Sequence, residues 1–517
     1  MSVPVDASPH EQPAARDQSE LGAYLAALDE TAKRVFDGRI DADVMGSNRG
    51  MPPFVLRDIM AARPLDAFLP GRFGGFGDSP LAIQGMLDVM SYQSMSLGLM
   101  MGINGALFIQ PVAKYAEQQV ANRVLTRMAG GHAMGGLMIT EPEFGTDALS
   151  MQTSWQQEGD EIAIRGTKHW AGLTGWADYW LVMARPKNES GGLSQGIDLF
   201  VCEQDQPSQR IEVLERYPNL GLFMLPYGKN KVDVRVPVDH RLKGGRGGVR
   251  MMLDVLHRSR MQFSGMTIGF LRRIADEAVA HVRSRVVSGS TLIEYDQVQA
   301  RVARIQGRLA LVTALSLYAV ENASATTDLS REAVAANSTK TVCSDYMQDA
   351  AQSLLQLVGA KGYATDHIAG RSVVDARPFQ IFEGPNDVLY SQIGSKTVET
   401  MRKHKTNNLG VQLRADYPEG VEIGKLGAEL DVTLADRPAQ RRIVDVGVVV
   451  SRLHALSALA ELARRGFPPE HVAAAAGTAA EEIRTSLDAL RHDTALRPAE
   501  ENLGLASWMP YVQNPAV

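Results

Sequence analysis

The sequence predicts an α+β protein built in the order helices, strands, helices, and three observations predict it. Apolar residues recur at helical spacing through the first quarter of the chain. Between about residues 136 and 240 they give way to short apolar runs separated by turn residues, and from Arg250 onward the helical spacing returns. Periodicity beyond residue 403 adds extra helices at the C-terminus.

Taken in order, the opening stretch MSVPVDASPHEQPAARDQ has neither an apolar signal core nor the arginine-rich, acid-poor character of a transit peptide, so residues 1–19 read as a disordered tail. After Ser19, placed as an N-cap, the residues Leu21, Tyr24, Leu25, Leu28, Ala32 and Val35 form one helical face, and Gly38 ends it. Few turn signals interrupt Leu81 to Met128, which makes residues 20–135 a helical domain. The runs EIAIRG, DYWLVMAR, GIDLFVCE and KVDVRV read as strands, with Gly159–Asp160 and the loop from Ser190 to Gly196 as turns, so residues 136–240 form a β module. In the next segment Val298, Val302, Ile305, Leu309 and Val312 alternate by four and three on one face, as in a packed bundle rather than a coiled-coil seam, over residues 241–403. A polar stretch with Lys405, Asn407 and Asn408 then leads to helical segments from Leu453 to Arg465 and from Val472 to Leu490; residues 404–517 are expected to form a separate element.

Composition excludes several classes of function. The 517 residues carry a net charge of -6 and no long basic run, so no nucleic-acid partner is expected. The two cysteines, Cys202 and Cys343, make no metal-ligand pattern and no disulfide framework, and fit a reducing, cytoplasmic setting. No uninterrupted apolar run reaches the roughly 18 to 20 residues that span a bilayer, so no transmembrane segment is expected. No GxGxxG follows a strand, so no Rossmann site is expected, and with no CxxC pair near a His cluster no metal site is expected either.

Four segments carry the chemistry. The first is MITEPEFGTDA, Met138 to Ala148, and the second is GTKHWAG, whose Trp170 lies 30 residues after Thr140. The third pairs Arg260, in RMQFSGMTIG, with Arg285, 25 residues on. The fourth is QLVGAKGY followed by VDARPFQIFEGPND, with Gln356 27 residues before Glu383. In this order and at these spacings they resemble the acyl-CoA dehydrogenase family over about residues 20 to 400.

The resemblance implies an N-terminal helical domain, a middle β-barrel and a C-terminal four-helix bundle, with residues 404–517 outside it. It implies FAD as cofactor, lined by Met138, Ile139, Thr140, Gly145, Thr146, Trp170, Ala171 and Gly172. Arg285 and Gln356 match residues that reach the cofactor of a neighbouring subunit, which implies a homodimer or homotetramer. Asp296, Leu357, Gly359, Ala360, Pro385 and Asn386 are further cofactor positions, and Thr146, His257, Arg260 and Gly384 face the substrate. Glu383 is the expected base, made more basic by burial. Its backbone N–H and a ribityl hydroxyl would hold the thioester carbonyl, while hydride passes to flavin N5 and a 2,3-enoyl thioester forms. The acyl group would ride on CoA or an acyl-carrier protein, and electrons would leave to an electron-transfer flavoprotein.

Several residues depart from the family pattern. Gly172 stands where a Thr or Ser bonds the flavin N5 region, and Pro385 stands where a threonine follows EG. His257, Asp296 and Val374 replace an acidic residue, a Gln and an Arg. Ser259 occupies the position at which some relatives carry the base and cannot serve as one, which favours Glu383. Two other readings remain: an oxygen-using relative, either an acyl-CoA oxidase or a flavin monooxygenase of the same fold, and a non-catalytic scaffold.

Overall fold

The computed structural model describes residues 18–37, 41–188, 190–245 and 247–492, with Met509 and Val512 beyond them. Most of the expected N-terminal tail, and Gly38, lie outside the described residues. Helices α1 (Gln18–Phe36), α2 (Ala42–Ser47), α3 (Pro53–Ala61), α4 (Pro80–Gln93), α5 (Met95–Asn104), α6 (Gln110–Tyr115) and α7 (Gln118–Ala129) come first. Ser19 sits inside α1, not at its cap. Side chains of Ser79 and Ser94 accept from Ala82 N and Leu97 N and so start α4 and α5. A π turn over Gly105–Ile109 joins α5 to α6 without breaking the helix.

Strands β1 (Gly135–Met138), β2 (Ser154–Glu158), β3 (Glu161–His169), β4 (Tyr179–Pro186), β5 (Asp198–Glu203), β6 (Glu212–Arg216) and β7 (Gly228–Pro237) form one sheet, ordered β1-β4-β2-β3-β7-β6 with β5 on β4. Tyr179 to Ala184 of β4 pair with β5, and its Tyr179–Val182 stretch also pairs with β1. Its last two residues, Arg185 and Pro186, reach β2 instead, so the sheet curls there. The run DYWLVMAR is apolar throughout because β4 is buried on both faces, whereas β7 alternates strictly and shows one face to water.

The chain then returns to helices: α8 (Gly248–Ser284), the short hairpin β8 (Val286–Val287) and β9 (Ser290–Thr291), α9 (Asp296–Asn322), α10 (Ala333–Val358), α11 (Ile368–Ala376) and α12 (Asn386–Lys403). After these come α13 (Leu409–Asp416), α14 (Pro418–Ile423), α15 (Gln440–Arg464) and α16 (Pro469–Arg491). With 37 residues α8 is the longest of the described helices and runs roughly 55 Å. It packs on α4, α9 and α10.

The C-terminal stretch is not separate. Helix α15 lies on α9, α10 and α12, α16 lies on α9 and α15, and Leu453, Leu456 and Ile483 share one continuous core with Leu311 and Tyr346. Small residues make this possible. A Cβ on Gly394 would come within 1.9 Å of Ile443 O, and one on Gly447 within 2.0 Å of Tyr390 O, so α12 and α15 touch backbone to backbone. By length and composition Met95–Tyr115 and Gln440–Arg464 are long and apolar enough to cross a bilayer, contrary to the reading of uninterrupted runs. Of their most apolar windows, 94% and 67% lie inside the fold.

Candidate active site

At the end of β3 the chain enters a turn with Trp170 at φ +54°, left-handed for a bulky residue, and the indole is 52% exposed. It rests on Tyr217 at 4.6 Å between ring centroids. Behind it, the fully buried Lys168 donates to Glu141 Oε1 at 2.9 Å and to Ile139 O at 2.8 Å. Glu141 also accepts from the N–H groups of Gln152 and Thr153 at 2.6 and 2.9 Å. Burial pushes the Lys168 ammonium down to about 8, with Glu141 opposing it. Burial alone would raise the Glu141 carboxyl, but Lys168 and the amide donors hold it below its ordinary range. His169 N donates to Thr140 O at 3.0 Å. The segments carrying Met138, Ile139 and Thr140 are thereby bound beside Lys168, His169 and Trp170, with Gly145 and Thr146 exposed on the rim.

Ala171 and Gly172 are buried in the same turn. A Cβ on Gly172 would meet Ile103 Cδ1 at 2.5 Å and Tyr227 Cε1 at 3.5 Å, so Ile103 and Tyr227 fill the room a threonine would need. The Tyr227 ring lies 6.3 Å from Trp170, and its phenol is pushed up first by burial and then by the charge of Glu383. Tyr227 therefore links the Trp170 turn to the carboxylate.

Glu383 follows Phe382, which packs against Phe263 and Phe379. The residue adopts φ +54° and is half-buried. Ser259 Oγ donates to Glu383 Oε1 at 2.8 Å. Oε2 is sealed from solvent with no hydrogen-bond partner among the described residues. Burial raises the carboxyl above its ordinary value, while the Ser259 hydroxyl, Arg260 and Lys340 pull it back. A left-handed glutamate persists only where its surroundings impose it. Here Arg260 clamps Glu383 O through Nε and Nη2 at 3.0 and 2.6 Å. Lys340 Nζ donates to Gly384 O at 2.9 Å and to Asn386 Oδ1 at 2.8 Å.

The expected site residues divide into two groups. Trp170, Ala171, Gly172, Arg260, Glu383 and Gly384 lie around the Trp170 turn and the Glu383 loop. Arg285, Asp296, Gln356, Leu357, Gly359 and Ala360 lie at the other end of the bundle, where α8 ends, α9 begins and α10 ends. Arg260 lies in the first half of α8 and Arg285 is its C-cap 25 residues on, roughly 38 Å away at about 1.5 Å of rise per residue. The two groups cannot hold the same ring from one subunit.

Three side chains are turned away from the roles expected of them. His257 is buried with Nδ1 against Leu329 O at 2.7 Å, and burial takes its imidazole down to about 4. Arg260, expected at the substrate, spends its donors on Glu383 O and Asn337 Oδ1. Asn386, expected at the cofactor, is buried and gives its amide to Ser344 and Asp345. Pro385 sets this up: it places Asn386 at the first turn of α12, with the side chain facing α10.

Ser259, Asn337, Lys340 and Tyr227 were not among the expected members. One signal for two of them was present. Asn337 to Thr341 are five consecutive polar residues in a helix, which must place some of them on the buried face.

Helices before and after a curled sheet, with Tyr227 between the Trp170 turn and the Glu383 loop, frame the candidate site. Residues 136–233 match the profile "Acyl-CoA dehydrogenase, middle domain", and residues 246–397 match "Acyl-CoA dehydrogenase, C-terminal domain". An acyl-CoA dehydrogenase of Bacillus subtilis is 23% identical over 325 residues, 62% of this chain and 83% of that one. The very long-chain specific acyl-CoA dehydrogenase of mouse mitochondria is 23% identical over 382 residues, 72% of this chain; the chain spans 58% of that relative's length. The crystal structure of an acyl-CoA dehydrogenase complexed with FAD from Bacillus anthracis superimposes with a TM-score of 0.75 at 16% identity, covering 95% of this chain and 92% of that one. Residues 136–233 and 246–397 are thus acyl-CoA dehydrogenase middle and C-terminal domains, and FAD is the cofactor of that family.

The residues present fit that cofactor. A half-exposed indole held in a left-handed turn, a glycine closed by two apolar neighbours and an orphaned carboxylate oxygen are what a planar ring and a bound acyl chain would cover.

Proposed function

We propose that the protein dehydrogenates an acyl thioester between its α and β carbons, with Glu383 as the base. The observation that carries the reading is the state of that carboxylate: Ser259 holds one oxygen, the other is dry and unpartnered, and burial makes the group more basic than a solvated glutamate.

In this reading Glu383 Oε2 takes the proton from carbon α. The Glu383 backbone N–H, which makes no hydrogen bond among the described residues, is left for the thioester carbonyl oxygen, where charge develops. Phe382 and the Phe263–Phe379 pair exclude water on one side of the loop. Arg260 and Lys340 fix the successive carbonyls of Glu383 and Gly384. The chemistry FAD supplies when bound is acceptance of the hydride from carbon β, leaving the 2,3-enoyl thioester. Thr140, Thr146, Trp170 and Ala171 are the proposed ring contacts.

Arg285, Asp296, Gln356, Leu357, Gly359 and Ala360 serve the cofactor of a partner subunit, since they lie too far from Trp170 to serve their own. A homodimer is thus the smallest complete enzyme. CoA or an acyl-carrier protein bears the acyl group, an electron-transfer flavoprotein takes the electrons, and the two free, buried cysteines suit a reducing cytoplasm.

The test is anaerobic mixing of the FAD-loaded protein with short-, medium- and long-chain acyl thioesters. Loss of flavin absorbance together with a product two hydrogens lighter is expected. Flavin that stays oxidised until a separate reductant and oxygen are supplied would move the reading to a monooxygenase, which the bare Gly172 position would suit.

A further inference from the structure

Arg452 is the one charged residue in the apolar run VVVSRLHALSALA of α15, and it is 5% exposed. A lone buried guanidinium needs acceptors, and α12, packed close on α15 at Gly394 and Gly447, supplies one while α10 and α16 supply one each. Arg452 Nη1 donates to Tyr390 Oη at 2.5 Å, Nη2 to Asp345 Oδ2 at 3.0 Å and Nε to Glu482 Oε2 at 2.8 Å.

Asp345 is the junction. Its Oδ2 accepts from Arg452 and from Tyr390 Oη at 2.6 Å. Its Oδ1 accepts from Gln380 Nε2 at 2.8 Å and from Asn386 Nδ2 at 2.7 Å. Gln380 and Asn386 stand three residues before and three residues after Glu383. Asn386 Oδ1 in turn accepts from Lys340, which also holds Gly384 O. Both ends of the strained Glu383 loop are thus tied to one carboxylate, and that carboxylate is tied to the C-terminal extension. Burial alone would raise the Asp345 carboxyl, but Arg452 and the hydrogen bonds from Tyr390 and Gln380 keep it ionised. Only the ionised form can accept on all four sides.

We propose that Arg452 is a positioning residue through which the C-terminal extension sets the Glu383 loop. This rests on the reading of Glu383 as base. Without the guanidinium, Asp345 takes up a proton, Gln380 or Asn386 loses its acceptor, and the left-handed Glu383 relaxes. Arg452 touches neither the acyl chain nor the ring turn, so substrate affinity should not follow.

The experiment uses the full-length FAD-loaded protein and anaerobic flavin reduction by an acyl thioester the wild type reduces on. Arg452→Met is expected to lower the limiting rate about tenfold or more, with half-saturating thioester and FAD content within about twofold of wild type. Asp345→Asn should show the same split, and the double variant should be no slower than Asp345→Asn alone. Arg452→Lys, which keeps the charge but offers one nitrogen to three acceptors, should fall between, and it decides the matter if Arg452→Met does not fold. A wild-type limiting rate in whichever of these variants folds overturns the proposal, as does loss of FAD and rate together in both. Glu383→Gln, measured alongside, separates the two readings. If it reduces its flavin at the wild-type rate, the base assignment fails; if it is silent while Arg452→Met is unimpaired, only the positioning role fails.

Discussion

Replacing Ser259 by alanine removes the one hydrogen bond the Glu383 side chain receives, 2.8 Å to Oε1, and leaves Arg260 and Lys340 in place. A hydroxyl donating to a carboxylate favours the ionised form, so its loss must raise the pKa of a group that burial has already raised. Hydrogen bonds to charged groups contribute roughly 1.5–3 kcal/mol and one pKa unit corresponds to about 1.36 kcal/mol, which sets the expected rise at about one to two units. The assay is the limiting rate of anaerobic flavin reduction between mildly acidic and mildly alkaline pH. On the acid limb Ser259→Ala should be slower than wild type, with its midpoint moved up by that amount. On the alkaline plateau it should be equal or faster, because the deprotonated carboxylate is a stronger base. A midpoint that stays where it was, or moves down, would refute both the hydrogen bond's role and the sign of its effect.

Other perturbations have equally definite outcomes. Trp170→Ala removes a half-exposed ring that the apo fold does not need; FAD affinity should fall about tenfold or more while the apo protein's stability changes by less than about 1.5 kcal/mol, the worth of an aromatic pair. Equal FAD affinity by titration would take Trp170 out of the cofactor site. Gly447→Leu forces a side chain onto Tyr390 O, where even a Cβ would sit at 2.0 Å, and should destabilise by about 1–3 kcal/mol or more in denaturant unfolding; wild-type stability would mean that α12 and α15 do not cross there. Glu383→Gln should be more stable than wild type at neutral pH. The folded pKa of Glu383 is raised, so its contribution to stability is full below its ordinary value of 4.5 and is lost as pH rises through the folded value. Melting curves of the two proteins should converge in acid and separate as the pH increases, and curves that stay parallel would mean the carboxylate is not buried.

Much of the fold was legible because pattern and burial coincide. The alternation of KVDVRV survives in β7, and the unbroken apolar run of DYWLVMAR marks a strand covered on both faces. Strands β1, β2 and β6 were not legible, β2 because its SWQQE run is mostly polar and exposed. In β1 the glycines carry little strand propensity; they are there because a Cβ on Gly135 or Gly136 would strike Phe108 or Trp180. Every residue of β6 is exposed, and its two apolar residues, Val213 and Leu214, are adjacent rather than alternating, so no one-face pattern marks it. The tail was read as separate because its polar lead-in resembles a linker, whereas what joins α15 to the bundle is a pair of glycines.

In the site, Trp170, Arg260 and Glu383 stood out through motifs that resemble a family's, taken with their spacing. The contacts that determine how Glu383 is held span 124 residues to Ser259, and the chain that positions its loop spans 107 residues from Asp345 to Arg452. No local pattern records such pairs. Asn386 is a similar case: its neighbourhood in sequence is the Glu383 loop, but its side-chain amide belongs to the buried network of α10.

The most direct measurement is flavin reduction by Glu383→Gln, carrying FAD at the wild-type ratio, mixed anaerobically with an acyl thioester that bleaches the wild type. The glutamine keeps the size and the Ser259 acceptor but cannot take a proton from carbon α, so the flavin spectrum should stay oxidised and no enoyl thioester should form. Bleaching at a rate near wild type would place the base on another residue and leave the dry carboxylate without the role given to it here.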